Sequence, residues 1–261
     1  MTRVVTVSSL AEAAAAGGAI LGGGTLLMRQ VNDAPQEVPE LVHVNDPALR
    51  ILRSDGAHWH IGAGVTMTDI IASPDCAALH PVARSIGGPA LRNMASVGGN
   101  LFAPHPYGDF AVALLALGAE VIWSDGRAQD IESFLRGRDT AQGAVQALRV
   151  PKVTPDRLAY RKVSRTKPKG VSVMSVAVLL ETSAGTITSA RVAFGAMGPT
   201  PMRAPSAEAA LRGARLDVAG VAAACDACVR DLAPVDDALA SAWYRAEVAP
   251  IHLRRCLLGE V

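Results

Sequence analysis

The chain of 261 residues carries almost no net charge, with 25 lysines and arginines against 24 acids. Without an excess of one sign, no global field draws nucleic acid or an anionic membrane surface. No apolar run reaches the roughly eighteen residues that a membrane-crossing helix needs. The N-terminal "MTRVVTVSSLAEAAAAGGAILGGG" has the charge-then-apolar order of a signal peptide. However, Ser8, Ser9 and Glu12 interrupt it, and it reads as a strand, a capped helix and a second strand. The expectation is a cytoplasmic protein with no membrane span. Two nucleotide signatures are also missing. No Gly-Lys-Ser/Thr closes a Walker loop, and no G-x-G-x-x-G opens a Rossmann unit.

Cysteine is scarce, with four residues at positions 76, 225, 228 and 256. Cys225-Asp226-Ala227-Cys228 has the spacing of a redox pair or half a metal site, but no second pair completes a zinc or iron–sulfur set. Its surroundings, "DVAGVAAACDACVRDLA", form an alanine-rich helix in which cysteine reads as a small apolar residue. His58 and His60 alternate along a strand and share one face. Without further ligands they read as exposed strand histidines.

Half of the chain is hydrophobic and 19% charged, the balance of a folded protein. The length suits one large domain or two modest ones. In the first half, short strands (Ala19–Leu21, Val42–Val44, His60–Ala63) alternate with short helices. Thr66 with Asp69 makes a loose capping box, "DFAVALLALGA" from Asp109 reads as a well-buried helix, and Asp125-Gly126 marks a hairpin. "RVPKVTP" looks like a boundary. After it, "RLAYRKVS", "VSVMSVAVLLET" and "TITSARVAFGAM" predict a three-stranded antiparallel meander, the last two joined through Ser183-Ala184-Gly185. Helices follow: "SAEAALRG" with Ser206 as its cap, the alanine-rich helix, and a long one from Asp237. The fold class is α+β.

Two glycine runs carry the chemistry. Gly22-Gly23-Gly24-Thr25 lies between a strand and a helix. Glycine permits a sharp turn, leaves no Cβ against a ligand and presents N–H groups to an anion. Ser96-Val97-Gly98-Gly99-Asn100 is expected to expose N–H groups likewise, beside two uncharged side chains that can donate to phosphate. Asp109 could cap its helix or accept from sugar hydroxyls. Two uncharged phosphate cradles near an acid suit a dinucleotide better than a triphosphate, which usually uses lysine and magnesium.

These residues, "GGGTLL", "IGGPALRNMASVGGNLFAPHPYGD", "YRKVSR" and "WYRAEVAPIHLRRCLL", stand in order at the spacing of a known family. The chain resembles the FAD-binding medium subunit of the molybdenum-containing hydroxylases, the xanthine dehydrogenase and carbon monoxide dehydrogenase group. The resemblance spans nearly the whole chain, and "RNMASVGGN" is its most specific block. It implies a two-part, PCMH-like FAD-binding domain over 1–155, built of α/β subdomains, and a smaller α+β domain over 156–261. By the same resemblance, Leu21, Gly22, Gly23, Gly24, Thr25, Leu26 and Leu27 bind the cofactor on one side, and Ser96, Val97, Gly98, Gly99 and Asn100 on the other. Asp109 would bind sugar hydroxyls, Ile86 would line the adenine or ribose side, and Lys162 would sit at the flavin end. Leu26 replaces the family's usual aspartate, which removes a carboxylate and leaves the backbone cradle.

The implied role is electron transfer through non-covalent FAD. Molybdenum cofactor and 2Fe-2S clusters would sit on a large and a small partner subunit, in a dimer of heterotrimers. A lysine near the flavin would stabilise its reduced, anionic form. Two other readings compete: a stand-alone flavin oxidoreductase, and a nucleotide-binding module without redox function.

Overall fold

The computed structural model describes residues 2–166 and 170–260. Lys167, Pro168 and Lys169, part of the basic run after Tyr160, lie outside the described residues.

Three sheets follow one another along the chain. The first comes from β1 (Arg3–Val7), α1 (Leu10–Ala16), β2 (Ala19–Leu21), α2 (Leu27–Asp33) and β3 (Glu40–Val44). Its order is β1-β3-β2, with both outer strands parallel to β3. Ser9 caps α1 and Gly17, at φ 74°, ends it, so a helix of only seven residues has firm limits. The chain therefore leaves β2 at its C-terminal end and turns at once into Gly22.

The second sheet uses β4 (Leu52–Ser54) and β5 (His58–Gly62). Then come α3 (Met67–Ala72), α4 (His80–Ser85), α5 (Pro89–Arg92), α6 (Val97–Leu101) and α7 (Asp109–Leu117) before β6 (Glu120–Trp123) and β7 (Ala128–Asp130). Last are α8 (Ile131–Gly137) and β8 (Val145–Pro151). The strands run in the order β4-β5-β8-β6-β7, antiparallel throughout. The capping box at Thr66 and Asp69 is formed on both sides.

The third sheet carries the meander of β9 (Leu158–Ser164), β10 (Ser172–Ser183) and β11 (Thr186–Gly195), extended by a two-residue fourth strand, β12 (Met202–Arg203). Ala184 at φ 47° and Gly185 at φ 77° close the β10–β11 hairpin with the left-handed pair a tight turn requires. On the outer face pack α9 (Pro205–Leu211), α10 (Val218–Ala227) and α11 (Ala242–Leu258). Ser206 lies inside α9 rather than at its cap. Its N–H and hydroxyl both donate to Asp231, so the helix start is satisfied from a distant segment. The last helix begins at Ala242 because Asp237 accepts from the N–H groups of Leu239 and Ala240 and holds a turn there.

All nine residues of α7 are buried. It lies between the second sheet's core and the inner face of the third. That face is made of small residues: Ala177 opposite Ala193, and Ser175 opposite Gly195. A Cβ on Gly195 would come within 2.6 Å of Val112 in α7. The alternate residues Val176, Val178, Val192 and Phe194 face the other way, into the core under α9–α11. Arg191 donates to the carbonyls of Leu115 and Ala116 and so satisfies the C-terminus of α7 from the third sheet.

A second tie joins the same regions. Arg245 is completely buried, and its guanidinium donates to the carbonyls of Val173, Val235 and Ala240 and to Asp237. Asp237 also meets His105 at 3.1 Å, in the segment between α6 and α7. Burial alone would push the Asp237 carboxyl up. Arg245, the two backbone N–H groups and His105 together hold it well below the usual range.

Arg245→Leu should cost about 3–5 kcal/mol, since it leaves three carbonyls without this donor and takes the guanidinium from the Asp237 carboxylate, read from denaturant midpoints. The depressed Asp237 carboxyl contributes stability above the ordinary carboxylate pKa and loses it as pH falls toward its lower native value. The melting-temperature gap between wild type and Asp237→Asn should therefore hold steady above about pH 5 and narrow below ~4.

Candidate functional site

A cleft of about 1360 Å³ opens where the first sheet meets the helices of the second, and it reaches β9 of the third. It exceeds the ~300–1,000 Å³ of ordinary small-ligand pockets. Leu21 to Leu27, Ile86, Ser96, Gly98, Gly99, Asn100, Asp109 and Lys162 all line it. Val97 does not, because its side chain is fully buried in the core beneath α6.

The first glycine run is laid directly on the second. A Cβ on Gly23 would fall 1.5 Å from the carbonyl oxygen of Met94, and one on Gly22 would fall 2.8 Å from the Ser96 hydroxyl. Gly23 is thus required by a backbone-on-backbone contact. Gly24 has φ 68°, the left-handed conformation that glycine adopts without strain. Among the described residues, no protein acceptor takes the N–H groups of Gly22, Gly23, Gly24 or Thr25. These donors are left for a ligand in the cleft.

The second run differs from expectation. Its N–H groups are consumed inside the protein: Val97 donates to Val65, Gly98 to Ala63, Gly99 to the Ser96 hydroxyl and Asn100 to the Ser96 carbonyl. Pairing with the Val65–Met67 segment holds the run rigid. Gly98 is needed because its Cβ would lie 2.9 Å from Ala63 O. What this wall offers the cleft is side chains. Ser96 keeps its hydroxyl hydrogen, and Asn100, whose Oδ1 accepts from Phe110 N–H at 2.9 Å, keeps its amide nitrogen.

At the inner end stand Asp109 and Lys162. Gly108 is the N-cap of α7, Asn100 Oδ1 takes the Phe110 N–H of its first turn, and Asp109 adds a carboxylate to that turn while finding its own partners elsewhere. Its carboxylate accepts from the Ser172 hydroxyl at 2.7 and 2.9 Å and lies 2.9 Å from the Lys162 ammonium. Lys162 also donates to the carbonyl of Ser85 at 3.1 Å. Behind them Tyr160 packs, partly buried, against the core of the second sheet. Burial first, then the nearby Asp109 carboxylate, pushes its phenol well above the ordinary value.

Three participants escaped the sequence reading: Ser172, Ser85 and the pair Arg29–Tyr107, whose guanidinium and hydroxyl meet at 3.3 Å among the cleft residues. They lie 63 or more residues from their partners and carry no local motif. The motif-like cysteines take no part. Burial pushes Cys225 up to about 11 and both Cys228 and Cys256 to about 12, so all three stay thiols. His58 and His60 gather around Asp55 on the surface, and among the described residues no group of three or more metal-ligating side chains exists.

Residues 1–153 match the family model of the FAD binding domain in molybdopterin dehydrogenase, and residues 159–259 that of the CO dehydrogenase flavoprotein C-terminal domain. The chain is 27% identical to the carbon monoxide dehydrogenase medium chain of Hydrogenophaga pseudoflava, covering 91% of this chain and 87% of that one. It is 29% identical to the nicotine 6-hydroxylase medium subunit of Paenarthrobacter nicotinovorans, with 92% and 88% covered. Among solved structures, the carbon monoxide dehydrogenase of Hydrogenophaga pseudoflava that lacks the Mo-pyranopterin moiety superimposes with a TM-score of 0.88. There the identity is 27%, and 98% of this chain and 96% of that one are covered.

Gly23→Ala should drive the two runs apart and cost about 3 kcal/mol, the upper end of overpacking penalties. Gly137→Ala, where no atom stands within 4 Å of an added Cβ, serves as the control and should leave the melting temperature unchanged or raise it.

Proposed function

The chain belongs to the family of FAD binding domains in molybdopterin dehydrogenases, and on that premise we propose that it is the electron-transfer flavoprotein subunit of a molybdenum hydroxylase. The observation that carries this reading is the cleft itself: unpaired N–H donors at Gly22–Thr25 at one place and a lysine at another, across a space large enough for a dinucleotide.

The residues present fit FAD. Gly22, Gly23, Gly24 and Thr25 would direct backbone donors at the pyrophosphate, with no charged side chain required. Ser96 and Asn100 would add neutral donors from the rigid wall. Ile86 supplies an apolar surface, and Lys162 supplies a positive charge for the ring. FAD supplies the redox chemistry, taking up and giving out electrons singly or in pairs. The protein's part is to bind it, orient it and set its electrostatic surroundings.

Nothing among the described residues can hold a metal cluster, and the four cysteines are free and buried. The medium-chain and medium-subunit names of its relatives support partners of other sizes, and we infer a large molybdenum-cofactor subunit and a small 2Fe-2S subunit that carry the rest of the route, assembled as a dimer of heterotrimers. Electrons would pass from the clusters through FAD to an external acceptor. We place the division between the FAD-binding part and the C-terminal part at 155/156. The described residues include no helix long and apolar enough to cross a membrane, in keeping with a cytoplasmic complex.

Purification of the tagged chain from its native host tests this. Flavin absorption bands, FAD released by acid, and co-purifying iron and molybdenum are the expected result. A colourless chain that takes up no added FAD would overturn it.

A further inference from the structure

We propose that Arg29 is a binding residue for the cofactor's diphosphate. Its guanidinium, held across the cleft by the Tyr107 hydroxyl, pairs with the phosphate charge that the open N–H groups of Gly22–Thr25 receive. The inference rests on the flavin reading above and adds to it the residue that balances the ligand's charge.

The placement of Arg29 is the first support. It lies on α2, one helical turn after Thr25, and side chains on a helix lean toward its N-terminus. Its stem therefore runs back over the turn where the open donors stand. Arg29 and Tyr107 both line the cleft and reach it from opposite sides, one from α2 and the other from the segment before α7. The guanidinium donates to the Tyr107 hydroxyl at 3.3 Å and, among the described residues, to no other group. Tyr107 is itself fixed, since its N–H donates to the Pro104 carbonyl at 2.8 Å. Asp33 follows on the same helix at an ordinary ion-pair spacing, yet the guanidinium meets Tyr107 instead.

Charge gives the arrangement its use. A diphosphate brings negative charge into the cleft, and backbone N–H groups answer it with dipoles alone. Lys162, at the inner end, already has a carboxylate beside it. Arg29 has a neutral hydroxyl beside it, so its positive charge is not cancelled by a neighbour. Most of its N–H donors remain open, in a flat fork that matches two phosphate oxygens. Because Arg29 is exposed, a ligand can reach it, and solvent also screens the contact and keeps its contribution moderate.

The full chain, freed of FAD and titrated with FAD by flavin fluorescence, provides the test. Arg29→Gln should weaken FAD binding roughly tenfold, the lower end for a hydrogen bond to a charged group. Raising salt from about 0.05 to 0.5 M should then cost the variant less affinity than it costs the wild type, because the contact that salt screens is gone. Arg53→Gln removes the same charge from β4, outside the cleft, and should leave affinity within about twofold of wild type. Tyr107→Phe should weaken binding about threefold alone and by less than about twofold in the Arg29→Gln background. Wild-type affinity in Arg29→Gln would overturn the inference, as would an unaltered salt dependence, equal losses in Arg29→Gln and Arg53→Gln, or equal effects of Tyr107→Phe in both backgrounds. If Arg29→Gln does not fold, Arg29→Lys keeps the charge and loses the fork. It should bind a few-fold more weakly with the wild-type salt dependence, and full affinity there would overturn the inference. A wild-type chain that takes up no FAD overturns the flavin reading together with this one; wild-type binding with Arg29→Gln unchanged overturns this one alone.

Discussion

A helix without a polar side has to be enclosed, and α7 is such a helix. None of its nine residues is exposed. It cannot lie on a surface, so the second and third sheets close around it. The third sheet makes room with alanine, serine and glycine where β10 and β11 face it. Its two ends are then the places where polar groups must be met by neighbours. Arg191 meets the carbonyls at one end, and Ser172 and Lys162 meet Asp109 at the other. The inner end of the cleft is thus a by-product of burying a hydrophobic rod.

The cleft's two walls do different work. The wall from Ser96 to Asn100 is finished within the protein, with every N–H from Val97 to Asn100 bonded and the run pinned to Ala63 and Val65. The wall from Gly22 to Thr25 rests on it through the contact of Gly23 with Met94 and keeps its donors open. A rigid wall and an open one together give a site both shape and hydrogen-bonding capacity.

Much of this was legible in the sequence, for identifiable reasons. Strands such as Ala19–Leu21, the Thr66 capping box and the Asp125-Gly126 turn are local, and local rules found them. The glycine runs also announced a close approach. Sequence could not say what approached. What lies against Gly23 and Gly98 is another stretch of backbone, and of the second run's N–H groups those of Val97 and Gly98 are spent on a segment some thirty residues earlier, those of Gly99 and Asn100 on Ser96. Ser206 reads as a cap, yet Asp231 does the capping, because the choice between a helix's own hydroxyl and a distant carboxylate is made in tertiary packing. The partnership of Asp109 with Ser172 and Lys162 joins elements 53 or more residues apart. No periodicity carries such information.

The open donors of Gly22–Thr25 also bear on which part of the molecule a ligand steadies. None of these residues is buried, so water can meet their N–H groups, and a ligand that takes them adds bonds at this wall and not at the opposite one. Occupancy therefore stabilises the first parallel sheet more than the remainder. The segment Arg3–Val44 is thus the part of the fold whose local opening a ligand seated in the cleft most restrains.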